Sequence, residues 1–176
     1  IFSFNLFLLA IDWIYFLGFL KMKKILLIIS FLRSSAKTIE DAMLLAKFEN
    51  AELILFFVVD MEYADNIANK LTSEGWIGAK PSEQLYLSLL KEYKMQAEAK
   101  IGRIQETAQQ INIPVRSVIK SGSVLEETLK ITEEEKPDLI VITRRKRSKL
   151  SRFIFGSMVQ ALKKQVSCPV KIIDSE

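Results

Sequence analysis

"DLIVITRRKRSKLSRFIFGSMVQALKKQVSCPVKIID", residues 138–174, decides the fold. It opens on a short aliphatic run, "DLIVIT" (138–143), and closes on another, "PVKIID" (169–174). Between them "GSMVQALKKQV" (156–166) places Met158, Ala161, Leu162 and Val166 at helical spacing. Strand, loop, helix, strand is the unit of a parallel sheet with crossover helices. The loop itself carries six cations, Arg144, Arg145, Lys146, Arg147, Lys149 and Arg152, and no acid.

The same alternation runs back through the chain. "KILLIIS" (24–30) and "AELILFFVVD" (51–60) have the unbroken apolar character of strands buried on both faces, and "PVRSVIK" (114–120) reads as a third strand. The stretch 34–50 predicts a helix with Ser34 or Ser35 as N-cap and Ile39, Met43, Ala46 and Lys47 along one face. Residues 61–81 read as an irregular insert, with a short helix where Tyr63, Ile67 and Leu71 recur every four positions. A long helix is expected over 82–110, its apolar face formed by Leu85, Leu89, Tyr93, Ala97, Ile101 and Ile104. A further helix over 123–135 begins with Ser123 followed by Glu126, the spacing of a capping box. The expected order is β-α-β-α-β-α-β-α-β, with helices on both faces of a parallel sheet. Such sheets bind ligands beyond the carboxyl ends of the strands, where strand order reverses. The basic loop leaves the carboxyl end of the fourth strand.

Composition removes much chemistry. The 176 residues contain no histidine, which excludes His-based triads and His ligands of zinc. The single cysteine, Cys168, has no internal partner and reads as a small apolar residue before Pro169. No acid, base or nucleophile constellation can be assembled from the spacing; slow ATP hydrolysis stays open as an alternative, although nothing positions an attacking water. Catalysis is therefore disfavoured and no metal site is expected. The net charge is +4 and six cations stand in one loop, so the remainder carries −2. This local basicity suits an anion contact. No aromatic residue falls between Arg144 and Arg152, which argues against nucleic acid as a partner.

Residues 1–20, "IFSFNLFLLAIDWIYFLGFL", form an apolar run about 30 Å long as a helix. Two readings stand. Residues 1–21 are an inner-membrane anchor with the domain, 22–176, in the cytoplasm; or they are an upstream extension, "MKKILLIIS" at Met22 being the ordinary-looking start of a cytoplasmic protein. A membrane partner follows only from the first.

The blocks "MKKILLIIS" (22–30), "AELILFFVVD" (51–60), "SGS" (121–123), "EEEKPDLIVIT" (133–143) and "GSMVQALKKQVSCPVKII" (156–173) resemble the universal stress protein family over essentially all of 22–174. The resemblance implies an adenine-nucleotide α-hydrolase-like α/β fold with a five-stranded parallel sheet in the order 3-2-1-4-5. It also implies a role in stress adaptation and a homodimer joined through the last strand, 169–174. Some members bind ATP through G-x2-G-x9-G-[ST], whose glycines let the backbone approach phosphate at a helix N-terminus. On this chain the motif falls on Thr143, Lys146, Gly156 and Ser157, so the spacing and final Gly-Ser are kept and the first two glycines are replaced.

The resemblance further assigns Ser30 to the place of the aspartate ending strand one in binders. It gives Val58 to the adenine wall, Gly122 to the turn before the third helix, and Met158 to the residue after the motif. Arg144, Arg145 and Arg147, with Lys146, are candidate phosphate contacts. The expected function is stress response through binding and dimerisation, with the ATP loop only partly kept. The alternatives are an ATP- or AMP-binding switch using the basic loop and Gly156-Ser157, and a membrane-associated accessory protein.

Overall fold

The computed structural model describes residues 22–31, 34–76, 78–144 and 158–174. Five strands, β1 (Lys24–Ile29), β2 (Glu52–Asp60), β3 (Val115–Gly122), β4 (Leu139–Arg144) and β5 (Val170–Asp174), form one sheet in the order β3-β2-β1-β4-β5. Every pairing is parallel, with Ile28 opposite Phe56 on one side and Ile142 on the other. The expected α/β architecture and strand order are both present.

Burial on two faces explains the aliphatic runs. Ile25, Leu27 and Ile29 of β1 join Leu53, Leu55, Phe57 and Val59 of β2 in one core layer. Leu26 and Ile28 join Ile54, Phe56 and Val58 in the other. The period of two along each strand thus feeds two cores from one sequence.

Helices α1 (Ala36–Phe48) and α3 (Ala79–Gln110) cover the first layer with Met43, Ala46, Ala97, Ile101 and Ile104. Helix α4 (Val124–Glu135) and helix α5, described over 158–165, cover the second with Ile131, Val159 and Leu162. Ser35 caps α1, accepting from the Thr38 N–H at 3.0 Å. Asn50 and Asn112, at φ 49° and 58°, end α1 and α3 in the left-handed region that asparagine tolerates. Among the described residues no helix is long and apolar enough to cross a membrane.

Several local expectations are corrected. The insert after β2 is mostly a regular helix, α2 (Met61–Ser73), because Asp60 ends the strand and caps the helix, accepting from the Tyr63 N–H at 3.3 Å. Lys47 is exposed, and the inner face of α1 runs instead through Thr38, Ala42, Met43 and Ala46. Ser123 occupies the N-cap of α4 but its hydroxyl makes no capping bond; Glu126 and Glu127 supply the negative charge that favours a helix start. Trp76, beyond the end of α2, is 75% exposed. Glu135, at the end of α4, is engaged by Arg116 and Lys24.

Candidate functional site

The strand order places β1 between β2 and β4, so the chain crosses two strands in passing from β3 to β4. The carboxyl ends of β1 and β4 are the switch point, with α1 packed on one face of the sheet and α5 on the other. Ser30 follows β1 at this point, and Thr143 and Arg144 end β4. Sequence reasoning named these positions, and the parallel register brings Ser30 and Thr143 to the same end of adjacent strands.

Their side chains do not share a face. Alternation from Ile28, in the layer under α4 and α5, puts Ser30 on that side, together with Val58. Thr143 stands opposite Ile173, whose side chain belongs to the layer under α1 and α3. All three are closed off from solvent, Ser30 and Thr143 at 2% exposure and Val58 at 0%. Every buried side-chain nitrogen or oxygen among the described residues has a hydrogen-bond partner.

Gly122 ends β3 opposite Asp60, one strand further out. Its φ of 153° is one that L side chains rarely adopt, and an added β-carbon would lie 3.1 Å from Glu127 Cγ. Glycine is therefore set here by the turn into α4, independently of any ligand. Met158 begins the described part of α5 and packs against the second core layer. The side chain of Arg144, and all of Arg145, Lys146, Arg147, Gly156 and Ser157, lie outside the described residues, as do Phe153 and Phe155.

The site also has a wall that the sequence did not announce. Phe31, the residue after Ser30, lies edge-on to Phe57 with ring centroids 5.2 Å apart, and 4.7 Å from Tyr93 of α3. Tyr63 of α2 stacks on Tyr93 at 6.0 Å. Burial, with a smaller contribution from Tyr63, holds the Tyr93 phenol above its ordinary pKa, so it stays protonated at neutral pH. The cluster ties the helical insert to the exit of β1 and closes the α1/α3 face with apolar rings. The spacing had marked Tyr63 and Tyr93 only as members of separate helix faces; their mutual contact is long-range.

Comparison with known proteins agrees with this fold. Residues 21–174 match the model of the universal stress protein family. A universal stress protein of Methanocaldococcus jannaschii is 26% identical over 139 residues, covering 79% of this chain and 74% of that one. Among solved structures, the universal stress protein UspA from Lactobacillus plantarum superposes with a TM-score of 0.66 at 16% identity, over 86% of this chain and 97% of its own. A universal stress protein in complex with cAMP superposes with a TM-score of 0.55 at 14% identity, over 88% and 98%.

Proposed function

Because the chain belongs to the universal stress protein family, we propose that it acts in stress adaptation through binding and self-association, as a homodimer joined along β5, and not through catalysis. The working unit is the domain 22–176. The observation that carries this reading is the position of β5. It ends the sheet, pairs only with β4 among the described strands, and is dominated by Val170, Ile172 and Ile173. A short aliphatic edge strand is a template for pairing with a second copy, and a two-fold axis closes such a pair.

In this reading the ligand end does not cradle a triphosphate as ATP-binding relatives do. Thr143 puts a buried side chain where the first glycine of their motif stands, and Ser30 replaces their strand-end carboxylate. Sedimentation equilibrium tests the dimer. The Ile140 N–H donates to the Pro169 carbonyl, so the ladder alternation turns residues 170, 172 and 174 outward. Ile172→Pro should therefore shift a concentration-dependent dimer to monomer, and a wild type that is monomeric at every concentration overturns the reading.

A second reading is an adenine-nucleotide switch. It is favoured by the placement of Ser30 and Thr143 at the same end of adjacent strands, although on opposite faces, and by the relative that binds cAMP. Gly156, Ser157 and the cations Arg144, Arg145, Lys146 and Arg147 would then hold the phosphates of AMP or ATP. Calorimetry separates the two readings. Heat from ATP or AMP that disappears in Lys146→Glu and Ser157→Ala supports the switch, and no heat from the wild type ends it.

A further inference from the structure

Helix α1 turns an apolar stripe outward. Leu44 and Phe48, one helical turn apart, are 64% and 86% exposed. With Leu45, Asp41 and Lys171 of β5 they line an open groove of about 290 Å³. Single exposed apolar residues are ordinary on a protein surface, but a leucine and a phenylalanine at i and i+4 form one continuous patch.

The chain enters the domain at the same corner. Lys23 Nζ lies 2.5 Å from a Glu49 carboxylate oxygen, and Glu49 directly follows Phe48. The Lys23 carbonyl accepts from the Glu52 N–H at 2.8 Å, which fixes the entry point against the end of α1. Asp41 and Phe48 are seven residues apart, about 10 Å along a helix, a span that about four extended residues cover. The residues just ahead of Lys21 are Phe16, Leu17, Gly18, Phe19 and Leu20, among the most apolar of the chain.

We infer that the groove on α1 is the docking site of this chain's own N-terminal segment, with Phe16, Leu17, Phe19 and Leu20 covering Leu44, Leu45 and Phe48. The segment needs no long tether, because the chain enters the described domain at Lys23, held beside Glu49 at the end of α1. Ordering it costs conformational entropy, but the Lys23–Glu49 pair fixes one end and removes most of the search. The contact rests mainly on the outer face of α1, with Lys171 of β5 at its edge, and it holds or fails whatever nucleotide the domain binds.

The test is chymotrypsin digestion of the full chain, followed by intact mass. Release of residues ahead of Met22 should be about tenfold faster in Phe48→Lys and Leu44→Lys than in wild type, because cleavage waits on local undocking. Both side chains are exposed, so the variants should keep the wild-type circular dichroism and melting temperature. A photo-crosslinker at position 48 should link within one chain to residues 16–20, independent of protein concentration. Equal release rates overturn the inference, as does protection lost on dilution, which would make a second copy the occupant. Partition of the wild type into membranes overturns it, and so does a purified full-length product whose mass begins at Met22.

Discussion

Arg116 of β3 and Glu135 at the end of α4 form a two-pronged ion pair, Nη1 donating to Oε1 at 2.8 Å and Nη2 to Oε2. The same guanidinium donates from Nε to Glu52 at 2.8 Å, and Lys24 Nζ reaches Glu135 at 3.2 Å. One network thus joins the starts of β1, β2 and β3 to the end of a helix. Hydrogen bonding to Arg116, then to Lys24, holds the Glu135 carboxyl below its ordinary value of 4.5. A depressed folded-state pKa means the stabilisation is full above about pH 4.5 and is lost as pH falls through the folded-state value. Glu135→Gln should cost about 1 kcal/mol at pH 7, discounted because the Arg116 side chain is 36% exposed. It should also flatten the acid limb of a denaturation series. An unchanged acid limb would show that the network does not carry it.

Gly122→Ala should destabilise the domain by more than about 1 kcal/mol, since alanine meets both a strained φ and the Glu127 side chain. The double variant Gly122→Ala/Glu127→Ala should recover the steric part only. Urea denaturation of the two, compared with Glu127→Ala alone, separates backbone strain from collision.

Restoring the missing glycines tests the ligand end directly. If side chains at 143 and 146 are what prevent a triphosphate cradle, Thr143→Gly/Lys146→Gly should show ATP heat in calorimetry that the wild type lacks. Thr143 is buried at 2%, so a melting curve must first establish that the variant is folded. A folded double variant that stays silent would move the obstacle elsewhere, with Ser30 next to be changed to aspartate.

Cys168 is half-buried against the second core layer, and burial pushes its thiol above the ordinary value of 9.0. The thiol is therefore protonated at neutral pH and a poor nucleophile. Alkylation by iodoacetamide at pH 7 should be slower than for a free cysteine, with the rate still rising above pH 9. A fast reaction at pH 7 would contradict this.

The sheet was legible because residues such as Leu26, Leu27 and Ile28 are apolar for two cores at once, and no other soluble context asks for that. Helix α3 was legible from its long stripe through Ala97, Ile101 and Ile104. Helix α2 was underestimated because its stability comes from an Asp60 cap and from packing on α3, and the small inward residues Ala64 and Ala68 give a weak stripe. At the site, the positions of Ser30 and Thr143 at strand ends could be read from the pattern, while Val58 came only from the family resemblance. Their division between two faces, and the Phe31–Tyr93–Tyr63 cluster, depend on register and long-range contact, which no local spacing encodes.

The Arg116–Glu135 network and the strand-end residues Ser30 and Thr143 sit at opposite poles of the sheet, one at the strands' beginnings and the other at their ends. Cohesion and recognition are thereby uncoupled. A substitution at Ser30 or Thr143 leaves untouched the clasp that holds the far pole together.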